Sequence, residues 1–427
     1  MQKVLIITYY WPPAGGPGVQ RWLKFVKYLP HYNVEPIVYA PENPNYPITD
    51  DSFENGIPGR VKVYKQKIFE PYGLARIFSK RKTKQISSGI ITTKDQTLLE
   101  KLMLWVRGNL FIPDARKFWI RPSVNFLSRL IEKEKIGTII TTGPPHSVHL
   151  IGQQLKKQVK VQWIADFRDP WTSIGYHDKL MLTTASKKKH KQLEHMVLNE
   201  ADKIIVTSNT TKLEFSQLTE KPITVITNGF DTYDEEPVPL DATFTISHIG
   251  SLLSGRDPLH LWQALSELVA ENEAFKKSLR LKLAGVVSSD VLESIKSFGL
   301  EPYLDLLGYL THKEAMSLQR SSQVLLLLEI DSIATKGIIP GKVFEYMAAK
   351  RPILGVGPKD WEVATLIEAS NTGKTLEYQQ FKEIKDILWH WFLQFKKGEL
   401  ALPHSKTEQY HRKELTSKLA KYIGKWE

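Results

Sequence analysis

The sequence contains no cysteine. Disulfide frameworks and thiolate metal sites are therefore excluded, and a reducing compartment fits without being required. Long apolar runs are missing too. Residues 4–11 form an apolar start that is too short to span a bilayer, runs into Pro12-Pro13 and carries no signal-peptide cleavage pattern. The later run at 324–328 is also short. No zinc-type histidine spacing and no Walker motif occur. There is no Asp-x-Asp; Glu329-Ile330-Asp331 comes near that metal–diphosphate pattern but closes an apolar stretch in the second half of the chain. The expectation is no catalytic metal and no cofactor. Gly15-Gly16-Pro17-Gly18 has the wrong glycine spacing for the dinucleotide fingerprint, and Pro17 interrupts it. That argues against a nicotinamide oxidoreductase. Internal repeats and low-complexity tracts are absent as well.

What is present is a chain of 427 residues, too long for one typical core. Its net charge of +12 is concentrated in the first half, above all between residues 66 and 134. A one-sided basic field implies an anionic partner. An anionic membrane surface is the expected one, with no role for nucleic acid. Phe69, Leu74, Ile77 and Phe78 lie among Arg76, Lys80, Arg81, Lys82 and Lys84, and Leu102, Leu104, Trp105 and Leu110 lie with Lys101 and Arg107. Apolar residues beside cations suit the headgroup boundary.

Short apolar runs closed by turn residues predict strands at 3–9, 35–39, 60–64, 138–142, 161–165 and 203–207. Helical spacing predicts helices at 19–29, 147–156 and 187–199. Residues 231–242 are acidic, hold Pro237 and Pro239, and read as a linker. A second alternation follows, with strands at 244–249, 280–284, 304–307, 324–328 and 352–355 and helices at 259–269 and 290–298. Alternating strands and helices predict an α/β chain built from two parallel, doubly wound sheets.

The most informative stretch is Ile339-Pro340-Gly341-Lys342-Val343-Phe344-Glu345-Tyr346-Met347-Ala348-Ala349. A Pro-Gly turn precedes an apolar run with helical spacing. Helix N-termini offer unpaired N–H groups and a positive dipole end, which suit phosphate oxygens. Lys342 adds a full charge there. Glu345 lies on the same face three residues on, where a carboxylate can accept ribose hydroxyls. Together these point to a nucleotide-diphosphate ligand.

This segment, with residues 7–18 (ITYYWPPAGGPG), 165–171 (ADFRDPW), 225–231 (VITNGFD) and 249–258 (IGSLLSGRDP) in the same order, resembles the retaining GT-B glycosyltransferases of the bacterial family four. The resemblance implies a GT-B fold, two Rossmann-like doubly wound domains facing a cleft. Residues 1–235 would bind the acceptor and 236–404 the donor, with 405–427 a terminal helix packing back on the first domain. It implies that Lys342 meets the donor diphosphate and Glu345 the ribose. Arg256 would add a second cation, with Gly250, Ser251 and Gly341 around them. Ser251 stands where many members carry an arginine, and Gly337 where many carry a glutamate that meets the donor sugar. Gly15, Gly16, Gly18 and Asp166 are expected at an acceptor or phosphate loop. Asp169, Arg168 and His146 are the candidate catalytic residues, Arg168 standing where many members have histidine. Weaker candidates are His149 and the loop-like stretch holding Asp114, Arg116 and Trp119. The implied reaction moves a sugar with retention from a UDP- or GDP-type donor to a glycan or lipid-linked acceptor in bacterial surface polysaccharide synthesis. The implied place is the cytoplasm, or the inner face of the cell membrane. A nucleotide-sugar epimerase and a catalytically silent binding module are the alternatives.

Overall fold

The computed structural model describes residues 1–71, 98–173, 180–231, 237–402 and 404–424. The chain divides into two compact units, Met1–Asn228 with Arg412–Glu427, and Gly229–His411.

The first unit is built on strands β1 (Gln2–Thr8), β2 (Val34–Pro41), β3 (Lys62–Gln66), β4 (Thr138–Gly143), β5 (Gln162–Phe167), β6 (Lys203–Val206) and β7 (Ile223–Val225). Helices α1 (Pro17–Tyr28), α2 (Leu98–Leu110), α3 (Lys117–Glu134), α4 (Ser147–Gln158), α5 (Thr184–Glu200) and α6 (Asn209–Ser216) connect them. The strands form one seven-stranded sheet in the order β3-β2-β1-β4-β5-β6-β7. All pairings are parallel; Leu5 of β1 sits between Ile37 and Ile139. Such a sheet needs helices on both faces, so its central strands are apolar throughout.

Side chains alternate across the sheet. Leu5 and Ile7 enter a core with Trp119, Val124 and Leu127 of α3 and Ile151 and Leu155 of α4. Val4 and Ile6 enter the opposite core with Trp22, Phe25 and Val26 of α1. That second core includes Leu415, Leu419 and Ile423 from the C-terminal part of the chain.

The second unit holds β8 (Phe244–Ile249), β9 (Leu279–Ala284), β10 (Leu304–Gly308), β11 (Val324–Leu328), β12 (Ile353–Gly357) and β13 (Gly373–Glu377). Its helices are α7 (Leu259–Glu271), α8 (Glu273–Ser278), α9 (Ser289–Ser297), α10 (His312–Ser321), α11 (Lys342–Ala349), α12 (Glu362–Ser370) and α13 (Phe381–Lys397). The sheet order is β10-β9-β8-β11-β12-β13. In β11, Val324, Leu326 and Leu328 face the core of α7 and α13, while Leu325 and Leu327 face that of α11 and α12. The last helix, α14 (Arg412–Ile423), belongs to the first unit, where Arg412 donates to Gln20 O at 2.6 Å. Among the described residues no helix is long and apolar enough to cross a membrane.

Candidate functional site

In each unit the strand order reverses beside the first strand, between β1 and β4 and between β8 and β11. Loops leaving the carboxyl ends at such a reversal splay apart, and the crevice between them is where open α/β sheets take ligands.

In the second unit Gly250 directly follows β8 and Glu329 directly follows β11. Arg256 joins the two loops: its Nη2 donates to Glu329 Oε1 at 2.9 Å and its Nε at 3.2 Å. Glu329 is buried and also accepts from the Ile330 N–H at 2.9 Å. Asp331 accepts from Gln379 at 3.1 Å. Both carboxylates of the near Asp-x-Asp are thus engaged by the protein itself.

Lys342 opens α11, and its Nζ lies 2.8 Å from the point a Cβ on Gly250 would occupy. Gly250 has φ +130°, a conformation open to glycine alone at low cost. A side chain there would displace the ammonium. Lys342 makes no hydrogen bond or ion pair among the described residues. Burial pulls its pKa down to about 8, helped by Arg256 and opposed by Glu329 and Glu345.

Glu345 lies one turn on and accepts from Gln319 of α10 at 3.3 Å through one oxygen. Tyr346 anchors the helix. Its hydroxyl accepts from the Ile249 N–H at 3.0 Å, at the end of β8. His248, unforeseen from the sequence, is buried in β8 with Nδ1 3.0 Å from Leu326 O. Burial first, and Lys342 second, pull its pKa to about 3, so the ring is neutral. Ser251 is exposed beside Gly250. Gly341 caps α11 with helical angles, φ −55°, so its backbone does not require glycine. The loop holding Gly337 is pinned on both sides, by Thr335 Oγ1 to Ile330 O at 2.6 Å and by Trp361 Nε1 to Ile338 O at 2.8 Å.

In the first unit Arg168 gathers three segments. Its Nε donates to Gly143 O at 3.3 Å and its Nη2 to Pro144 O, both at the end of β4. Its Nη1 occupies the place a Cβ on Gly18 would take, at the start of α1. Gly16, at φ +96°, turns the chain into α1, which has no side-chain cap and no acidic residue in its first turn. Gly15 is held by its N–H to Ile48 O at 2.9 Å. Asp169 is exposed and makes no hydrogen bond among the described residues.

Asp166 does not fit the expected loop role. It is fully buried, and its two oxygens accept from Arg21 at 3.0 Å and Trp22 at 2.9 Å. Those bonds fasten α1 to β5 and leave no oxygen for a ligand. His146 is also a packing residue: it is buried with its ring stacked on Trp171, centroids 4.5 Å apart and planes 3° from parallel. His149 is buried, bonds Thr141 through Nδ1 at 2.9 Å, and is held neutral by burial with a pKa of about 3.

The stretch expected as a loop is partly helical. Trp119 lies inside α3 and stacks on Tyr39 at 5.2 Å. Asp114 caps α4, accepting from the Ser147 N–H at 2.9 Å and its hydroxyl at 2.7 Å. Arg116 pairs with buried Glu70 at 2.9 Å. All three are anchors. The side chains left open to a ligand are therefore Lys342, Glu345 and Arg256 in one unit, and Asp169 in the other, where Arg168 holds the loop.

Two doubly wound parallel domains of this order make a GT-B fold, and solved glycosyltransferases share it along the whole chain. A glycosyltransferase from Rickettsia africae ESF-5 aligns with a TM-score of 0.60 and 13% identity, covering 99% of this chain and 98% of that one. WaaG, a glycosyltransferase involved in lipopolysaccharide biosynthesis, aligns at 0.55 and 12%, covering 99% of both chains. A TarM variant from S. aureus, in complex with fondaparinux, α-GlcNAc-glycerol and UDP, aligns at 0.57 and 13%, covering 100% of both. No family model matches the chain, and no curated protein matches it.

Proposed function

We propose that the protein is a retaining glycosyltransferase of the family-four type. It moves a sugar from a UDP- or GDP-linked donor to a glycan or lipid-linked acceptor in surface polysaccharide synthesis. The observation that carries this reading is Lys342, an unpartnered ammonium held over Gly250 at the start of α11. A diphosphate at that point would meet the ammonium, the helix N–H groups and the exposed part of Arg256. Glu345, with one oxygen uncommitted, would take the ribose hydroxyls. As the glycosidic bond breaks, negative charge gathers on the leaving phosphate, and these fixed cations and dipoles stabilise it. The departing phosphate can help take the acceptor proton during same-face attack, so no protein nucleophile is required.

A thermal-shift screen of nucleotide sugars followed by product analysis tests the reading. The expected result is stabilisation by one nucleotide-sugar class and transfer to an acceptor in excess chelator, because Lys342 and Arg256 supply the charge a metal would otherwise bring. Activity lost in chelator and restored by magnesium or manganese would overturn the cation-based mechanism. Sugar isomerised without transfer would make the protein an epimerase, and binding without turnover a silent module.

The basic first unit supports a membrane-proximal acceptor. In α2, Gly108 and Leu104 face inward: a Cβ on Gly108 would lie 2.6 Å from Leu180 O, and Leu104 is 2% exposed. Leu104 is therefore a core residue and leaves the interfacial set. The outward side shows Lys101, Leu102 and Trp105. Leu110, Phe118 and Phe69 are exposed as well, the two phenylalanine rings 5.6 Å apart, with Lys117 over Phe118 at 5.3 Å. Leu74, Arg76, Ile77, Phe78, Lys80, Arg81, Lys82 and Lys84 lie outside the described residues. Each cation at an anionic surface contributes about 1 kcal/mol. The protein is expected to pellet with anionic vesicles at low salt and to be released at high salt, and Leu102→Ser with Trp105→Ser to weaken pelleting. If the wild type stays in the supernatant with anionic vesicles at low salt, the acceptor is soluble.

A further inference from the structure

Outside these sites, one face of α5 carries Lys187, Lys188, Lys191 and His195, all exposed. They line a groove of about 890 Å³ that runs from Thr172 to Leu218 beyond α6. None of the three lysine side chains makes an ion pair or hydrogen bond among the described residues. Like charges one turn apart on a helix repel, so an unpaired row of them favours an anion alongside.

The carboxylates nearby do little to cancel the row. Glu194 is buried, and its two oxygens accept from the Thr172 N–H at 3.0 Å and its hydroxyl at 2.5 Å. Glu214, on the α6 side, is the other acid in the lining. The Glu194 bonds also fix the end of the groove to the loop of Asp169. Trp171 strengthens that link, donating to His190 of α5 at 3.1 Å. The lysine row is thus tied rigidly to the candidate catalytic loop.

Residues 187, 191 and 195 stand about one helical turn apart, a rise of about 6 Å each. That is close to the length of one sugar residue in an extended chain. Leu218 and the lysine stems offer apolar surface to sugar C–H faces. We propose that this groove binds a linear oligosaccharide carrying an acid group on successive sugars. On the transferase reading, which this inference rests on, the acceptor is an anionic glycan whose chain lies along α5 while its reacting end meets the Asp169 loop.

The test is calorimetry on the full chain with hexagalacturonate, and with maltohexaose as its neutral counterpart. The wild type is expected to bind the acidic oligosaccharide in a salt-sensitive way and to ignore the neutral one. The triple variant Lys187→Gln, Lys188→Gln, Lys191→Gln is expected to lose about tenfold or more in affinity. A control with the same charge loss, Lys133→Gln, Lys160→Gln, Lys189→Gln, is expected to stay within about twofold. Melting temperature is recorded for both, so a folding defect shows itself. Equal losses in the two triples, or equal binding of the neutral chain, overturn the groove. So does a groove variant that binds hexagalacturonate normally but no longer pellets with anionic vesicles, which makes the row a membrane contact. Nucleotide-sugar stabilisation separates the two readings. If it persists while hexagalacturonate fails to bind, the groove alone falls. If hexagalacturonate binds through the lysines and no nucleotide sugar binds or turns over, the transferase reading falls and the groove stands.

Discussion

Raising the pH from about 7.5 to about 9.5 is expected to weaken UDP or GDP binding by tenfold or more. The cause is Lys342, whose pKa in the free protein is drawn down to about 8 by burial and by Arg256. A bound diphosphate would hold the ammonium charged and raise that value. Between the two pKa values the complex keeps a proton that the free protein has lost, so affinity falls as pH rises, by at most about tenfold per unit. Below about pH 8 the lysine is charged in both states and contributes no slope. The nucleotide's terminal phosphate completes its second ionisation lower, near pH 6, so it does not mask the window. Lys342→Ala is expected to bind about tenfold or more weakly at pH 7.5, the loss of a charge-assisted hydrogen bond of roughly 1.5–3 kcal/mol. It should also show no alkaline fall. Glu345→Ala is expected to bind more weakly while keeping the fall, because its lysine is intact. Calorimetry at four pH values on the three proteins measures both effects. An unchanged alkaline slope in Lys342→Ala would remove the lysine from the donor site.

The sheets were legible in the sequence because burial writes itself into apolar runs. Strand β11 is buried on both faces and reads as Val-Leu-Leu-Leu-Leu. Strand β13 leaves no such mark, because its Gly-Lys-Thr-Leu-Glu buries only Leu376. The start of α3, through Trp119, looks loop-like in the sequence because Lys117, Arg121 and Pro122 blur the apolar spacing there. The residues of the proposed donor loop stand out in the sequence because they are local: a turn, a lysine and a glutamate within one helix. The first unit's site does not. Asp166 and Asp169 look alike in Asp-Phe-Arg-Asp, and which one is spent depends on Arg21, 145 residues away in sequence. The packing role of His146 likewise depends on Trp171. Composition shows that such groups exist; only the fold decides which partners claim them.

That division singles out Asp169, and Asp169→Asn is expected to cut transfer by about 10²–10⁴-fold, the range for a positioned carboxylate that assists proton transfer. Asp166 cannot substitute, since Arg21 and Trp22 hold both its oxygens. Asp169 is exposed and unbonded, and its backbone neighbours are fixed by Arg168 to Gly143 and by Thr172 to Glu194. A free carboxylate on a fixed loop can meet an acceptor hydroxyl without first breaking a bond to the protein. A carboxylate acting as base is needed ionised, so wild-type turnover should rise with pH on the acid side, and the asparagine variant should lack that rise. Donor affinity should stay within about twofold, because Lys342, Arg256 and Glu345 are untouched. A second variant checks the loop. In Gly18→Ala the new methyl claims the space of Arg168 Nη1, so the guanidinium that braces the loop is displaced while Asp169 remains. Its turnover should fall as well, with the acid-side rise retained. If Asp169→Asn turns over at near the wild-type rate, Asp169 merely shapes the loop. The acceptor proton must then leave through the departing phosphate alone.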